Sequence, residues 1–291
     1  MTPTYTTLEI ETAHRVAVIW MAREKVRNAF NETMIAELTE AFRHYGADDS
    51  TRAIVLAGHG KAFCAGADLD WMRRMSTYSL DENRRDARLL ADMLRTINDC
   101  PKPTIARVHG DAYAGGMGLV AACDVAVAAF DASFCLSETR LGLIPATIGP
   151  YVLRAMGEQA ARRYFLTAEK FDASEAFRLG FVHEIAPPDE LDEKVNATLG
   201  ALMATSSHAV AAAKRLVRDV AHRPIDDALA ADTAERIAQI RASDDGKEGI
   251  ASFLAKRKPR WLAEFEAEQA AAASEGGDDD ADDEVDPTRR V

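Results

Sequence analysis

Up to about residue 200 the chain alternates short β-rich apolar runs with longer stretches whose apolar residues recur every three or four positions. The runs at 16–20 (VAVIW), 53–57 (AIVLA), 104–108 (TIARV) and 125–128 (VAVA) have the length and branched content of buried strands. Segments 31–45 and 79–99 carry the helical period instead. Strands alternating with helices predict crossover connections and a mainly parallel sheet. After residue 200 only helical patterns follow, at 206–222, 225–242 and 246–256, with Pro224 marking a break. The chain therefore reads as α/β, with a core over 1–200, a helical region over 201–265 and a tail over 266–291. The tail combines a run of acids with two glycines and hardly any large apolar residue, so it cannot bury enough surface to offset its ordering entropy. It is expected to be disordered.

Composition narrows the function classes. A hydrophobic fraction of 47% and a charged fraction of 28% over 291 residues are those of a globular protein with a substantial core. No apolar run approaches the ~18 residues of a membrane span. The opening segment lacks a basic stretch followed by an apolar one, which argues against a secretory signal. A cytoplasmic location is the resulting expectation, and Cys64, Cys100, Cys123 and Cys135, without CxxC or metal-ligand spacing, fit reduced thiols there. His59, His109 and His183 also lack ligand spacing, so no metal is expected. A net charge of −12 argues against a nucleic-acid partner.

Chemistry is concentrated in two glycine-rich turns. GHGKAFCAGADLDWM at 58–72 follows the 53–57 strand and precedes a helix. VHGDAYAGGMGLVAACD at 108–124 again leaves a strand and enters a helix near Gly115. Glycines permit sharp turns that expose backbone N–H groups, and a helix N-terminus adds the positive end of its dipole, which suits an anion. A plain strand-to-helix turn has the same appearance. Neither turn matches a dinucleotide or P-loop signature.

AFCAGADL at 62–69, the AGGMG…CD stretch at 114–124 and FCLSETRLGLIP at 134–145 resemble, in order and spacing, the signature of the crotonase (enoyl-CoA hydratase/isomerase) family. REKVRNAFN at 23–31 and EGIASFLAKRKP at 248–259 extend the resemblance to about residues 10–262. It implies a crotonase-type ββα spiral core with a helical C-terminal trimerisation region, two trimers commonly stacking into a hexamer. It also implies an acyl-CoA thioester substrate whose enolate oxygen is held by the backbone N–H groups of Ala67 and Gly115. Coenzyme A enters as part of the substrate, and no separate cofactor is expected. By motif position the adenine would lie near Ala65, Asp68 and Leu69, and the phosphates near Arg23, Lys25 and Arg27. Phe253 and Lys256 would reach coenzyme A from the C-terminal helix. The competing readings are a solvated surface turn for the three basic residues and, for 253–256, a basic helix end favouring its own dipole.

Hydratases of the family usually flank a water with two glutamates. One is present as Glu138, while the position of the other is Gly118. Some family isomerases keep only the later glutamate, which moves a proton between the α and γ carbons by itself. The sequence around the gap, and ADLDWMRRM at 67–75, resemble a narrower bacterial subgroup with the same glycine, assigned as hydratases of glutaconyl-CoA esters in leucine and acyclic-terpene catabolism. The resemblance thus implies hydration of 3-methylglutaconyl-CoA to 3-hydroxy-3-methylglutaryl-CoA. The alternatives are a Δ3,Δ2-enoyl-CoA isomerase using Glu138 alone and a catalytically weak acyl-CoA-binding homologue. Glycine at 118 is expected to leave room for the methyl branch or a water chain. Arg140 is a candidate for the distal carboxylate or for a salt bridge, Ser137 for a hydrogen bond to Glu138, and Trp71 for the acyl pocket or the core.

Overall fold

A computed structural model describes residues 4–275. The chain divides into two compact units, Met1–Gly200 and Ala201–Val291. The strands of the first are β1 (Leu8–Ala13), β2 (Val16–Met21), β3 (Ala53–Gly58), β4 (Thr104–Val108), β5 (Ala112–Tyr113), β6 (Val125–Ala129), β7 (Ser133–Cys135), β8 (Lys170–Asp172) and β9 (Glu184–Ala186). Between them run helices α1 (Glu32–Ala47), α2 (Leu69–Met75), α3 (Leu80–Asn98), α4 (Gly115–Ala122), α5 (Gly149–Met156), α6 (Glu158–Thr167) and α7 (Ala173–Arg178), followed by α8 (Leu191–Met203).

Six strands form one sheet in the order β1-β2-β3-β4-β6-β9, and β5-β7-β8 form a second. Every pairing from β2 to β9 in the larger sheet is parallel, as the strand–helix alternation predicts. Strand β1 adds an antiparallel edge, joined to β2 through His14 and Arg15. Both sit at positive φ (48° and 66°), the backbone a two-residue hairpin requires. β3 is buried along its whole length, as expected of a parallel strand covered on both faces. Helix α1 starts where the Asn31 side chain accepts from the Met34 N–H, and it buries Met34, Ile35, Leu38 and Phe42. α3 opens on a capping box between Ser79 and Glu82 and buries Met93, Leu94 and Ile97.

The link between β2 and α1 is braced by Asn28, which is fully buried at φ 53°. Its Oδ1 accepts from the Arg23 N–H (3.0 Å), and its Nδ2 donates to the carbonyls of His59 (2.8 Å) and Ala62 (2.9 Å). One side chain thereby ties the 23–30 segment to the first glycine-rich turn.

The second unit contains α9 (Ser207–Val220), α10 (Asp227–Ala242), α11 (Asp244–Leu254) and α12 (Arg260–Glu275). Ser206, Asp226 and Ser243 cap the first three, and Arg236 of α10 bridges Asp219 and Asp232. Helix α12 corrects the expected extent of the tail: residues 266–275 are helical. Alanine, the strongest helix former, dominates there. The rest of the expected tail, 276–291, lies outside the described residues. No described helix is long and apolar enough to cross a membrane.

Replacing Asn28 by alanine strands one buried donor and two carbonyls. The variant should lose about 1–3 kcal/mol of unfolding free energy in a urea titration. A urea midpoint equal to the parent's would rule out the brace.

Candidate active site

The two glycine-rich turns are stitched together by backbone. Cys64 donates to the Asp111 carbonyl (3.1 Å), and Tyr113 donates back to the Cys64 carbonyl (2.9 Å). The Ala114 N–H then reaches the Cys135 carbonyl at the end of β7 (2.8 Å). Contact this close depends on missing side chains. A Cβ on Gly66 (φ 88°) would sit 3.1 Å from Ala114 Cβ and 3.7 Å from the Gly115 nitrogen. One on Gly116 would sit 3.0 Å from Cys64 Cβ and nearer still to its carbonyl oxygen.

The structure thus brings the turns bearing Ala67 and Gly115 side by side. Neither N–H donates in the turn and cap hydrogen bonds of the described residues. Phe30 bonds to the residues on either side of Ala67, donating to Gly66 and accepting from Asp68, so the Ala67 N–H faces away from that pairing. Gly115 is the first residue of α4, where an N–H has no intrahelical acceptor and the helix dipole presents its positive end.

Glu138 lies three residues beyond Cys135, at the start of a 3-10 turn, Glu138–Leu141. Its Oε2 is buried and has no hydrogen-bond partner. Burial pushes the carboxyl above the usual glutamate range, and only its own backbone N–H works in the other direction. The expected hydrogen bond from Ser137 is not made. Adjacent residues in a helical turn point their side chains apart. Arg140 forms no ion pair among the described residues; its Nη2 donates to the Ala168 carbonyl at the end of α6 (2.6 Å).

Gly118 departs most from expectation. It is buried in α4, and the space beside it is filled by Ile148, the residue that opens α5. A Cβ on Gly118 would overlap Ile148 Cγ2, with Ile148 Cβ at 2.8 Å and Leu94 Cδ2 at 3.5 Å. The glycine therefore allows close packing of α4 on α5 rather than leaving room for a methyl branch or water. A glycine in sequence does not reveal which distant side chain occupies its vacancy.

Among the candidate coenzyme-contacting residues, Arg23 is already engaged. Its Nη2 pairs with Asp68 at 2.8 Å, and its Nη1 donates to the Ala29 carbonyl. Asp68 also caps α2 by accepting from Asp70 and Trp71. Burial opposes its ionisation but is outweighed by Arg23 and the two N–H donors, which hold its pKa below the usual range. Lys25 and Arg27 are exposed, Ala65 is half-buried and Leu69 is 70% exposed. In the second unit Phe253 is 82% exposed and Lys256, at φ 52°, is exposed just past α11. Trp71 belongs to the core at 2% exposure, with its Nε1 donating to Asp86 (3.0 Å). The histidines serve turns: His109 Nε2 lies 3.0 Å from the Gly60 carbonyl, and His183 Nδ1 accepts from the Ala126 N–H. No described cluster of three or more His, Cys, Asp or Glu is placed to hold a metal. Asn28 and Phe30, both within REKVRNAFN, were missed as site residues because their partners lie some thirty or more positions away.

A parallel sheet whose strands feed two interlocked glycine turns, with a helical second unit, defines a crotonase-type α/β enzyme. The chain belongs to the enoyl-CoA hydratase/isomerase family, which matches residues 11–264. It is 32% identical to a crotonyl-CoA hydratase of Syntrophomonas wolfei, over 89% of this chain and 99% of that one. The crystal structure of an enoyl-CoA hydratase from Shewanella pealeana superposes with a TM-score of 0.85 at 42% identity, covering 88% of this chain and 96% of that one. One from Mycobacterium smegmatis gives 0.84 at 36%, covering 88% and 99%.

The contact at Gly118 predicts a coupled pair. Gly118→Ala should destabilise by about 1–3 kcal/mol through overpacking, and adding Ile148→Ala should recover part of that loss. A double-mutant cycle on unfolding free energies measures the coupling, and strict additivity would refute the contact.

Proposed function

We propose that this enzyme adds water to an α,β-unsaturated coenzyme A thioester, with Glu138 as the proton-transferring group and the Ala67 and Gly115 N–H groups holding the thioester oxygen. The observation that carries the reading is the buried, unpartnered Oε2 of Glu138, three residues beyond the strand end whose Cys135 carbonyl accepts from the Ala114 N–H. As water attacks Cβ, negative charge moves onto the thioester oxygen. Two preorganised backbone donors there are worth roughly 2.7–4 kcal/mol each. Ionised Glu138 takes a proton from the attacking water and passes a proton to Cα, ending in its starting state. A raised pKa brings such a group closer to working pH, which suits both halves of the transfer.

The coenzyme enters as part of the substrate. In this reading the adenine packs near Ala65, Asp68 and Leu69, with Lys25 and Arg27 as phosphate cations. Arg23 acts by fixing Asp68, and Phe253 and Lys256 are further candidates for contact with the coenzyme. Exposed Ile225, Phe253 and Leu254 support self-association into a trimer or hexamer. The subgroup resemblance around Gly118 and at 67–75 supports 3-methylglutaconyl-CoA as substrate and 3-hydroxy-3-methylglutaryl-CoA as product.

The filled space at Gly118 favours a second reading, because it leaves Glu138 as the one carboxylate at the two family positions. A single carboxylate suffices for shifting a double bond between α,β and β,γ positions. A panel of linear and branched enoyl-CoA thioesters, followed to equilibrium, separates the readings by added water against a moved double bond. Hydration fastest with the branched dicarboxylate supports the proposal. Isomerisation without hydration replaces it, and no turnover with any thioester leaves an acyl-CoA-binding protein.

Glu138→Gln should lower turnover by about 10²-fold or more and remove the acid limb of the kcat/KM profile. That limb should lie above pH 4.5, the ordinary glutamate value, because burial raises the pKa and the ionised form is the active one. Stability should change in the opposite sense. A raised folded-state pKa gives stability that is fully present below the unfolded pKa and lost as pH rises through the folded one. The Gln variant should therefore melt above the parent at neutral pH and converge with it in acid. Near-parental turnover would remove Glu138 from the reaction.

A further inference from the structure

We propose that Phe30 is a positioning residue that sets the separation of the two N–H groups on the thioester oxygen; this rests on the oxygen-site reading above. Phe30 touches both donor turns, by different means. Its backbone N–H donates to the Gly66 carbonyl (2.9 Å), and its carbonyl accepts from the Asp68 N–H (3.0 Å). Those two bonds bracket Ala67 and turn the Ala67 N–H away from Phe30. Its ring then crosses to the second turn. The ring tip occupies the space where a Gly115 side chain would stand, with Cε1 2.6 Å from the ideal Cβ position and Cζ closer. One residue thus spans the gap between the turns, with its backbone on one and its ring on the other.

The ring is held from behind. Phe30 is 1% exposed and packs on Trp71, with centroids 5.9 Å apart at 55°. Trp71 is tethered through its indole N–H to Asp86 and through its backbone N–H to Asp68, which sits directly after Ala67. Gly115 can therefore move toward the first turn only if the ring moves. The ring's reach, rather than the glycine turns alone, fixes the donor spacing. A misplacement on the order of 1 Å costs as much as ~10²-fold in rate when a reaction depends on aligned groups.

Phe30→Leu keeps both backbone bonds and an apolar side chain but withdraws the ring tip from Gly115. Two readouts separate positioning from simple packing. The first is the thioester carbonyl stretch of bound, isotopically labelled butyryl-CoA in infrared difference spectra, which moves to lower frequency as the donors polarise it. The second is the split between kcat and KM. The expected result is a downshift in the parent that shrinks in Phe30→Leu, with kcat lower by about tenfold or more and KM little changed. An equal downshift and equal kcat in the two proteins would overturn the role of Phe30 while leaving the oxygen site intact. No downshift in the parent would overturn the oxygen site itself, and this proposal with it. Should the leucine variant fail to fold, Phe30→Ile, which also withdraws the ring tip from Gly115 and keeps an apolar side chain, carries the same comparison.

Discussion

Two backbones meet within the first unit at a distance that no side chain permits. The Cys64 carbonyl takes a hydrogen bond from Tyr113 while Gly116 passes close against it, and Gly66 comes up to Ala114 and the Gly115 nitrogen. Everything else in the first unit serves that approach. β3 and β4, adjacent and parallel, each end just before one of the two turns. Asn28 pins the segment before α1 to the first turn, and β7 holds the second through Ala114. A methyl group added at Gly116 would have to push against a carbonyl already held by the Tyr113 N–H, so this contact tolerates little adjustment.

Glu138 illustrates what such rigidity supports. A carboxylate oxygen without a partner, in a site that raises its pKa, costs the fold stability at neutral pH. It persists because the surrounding backbone is fixed by other interactions. Leu143 donates to the Glu138 carbonyl, Arg140 closes the end of α6, and β7 is paired on both sides. Stability is supplied around the carboxylate rather than by it, a common arrangement where chemistry needs an unsatisfied group.

Sequence pattern revealed the four central strands of the large sheet and most of the long helices. The runs at 16–20, 53–57, 104–108 and 125–128 became β2, β3, β4 and β6, since buried parallel strands are continuous apolar runs. β5, β7, β8 and β9 span two or three residues, too few for any period to appear, and β1 is mostly exposed. Composition also misjudged α12, because an alanine-rich segment forms a helix on backbone propensity. For the candidate site, motif order singled out Ala67, Gly115 and Glu138. The packing of Phe30 on Gly115 and of Ile148 on Gly118 joins distant parts of the chain, and no local pattern encodes it.

The Ile148 contact also constrains how this chain can change by successive mutation. An acidic side chain introduced at 118 while isoleucine remains at 148 must pass through a poorly packed protein, so that single step is closed however useful the product. Shortening residue 148 first would open a void in the core, itself a loss, with no immediate gain. The order of events therefore matters. While isoleucine occupies 148, no single substitution at 118 adds an acidic side chain without disturbing the packing of α4 on α5.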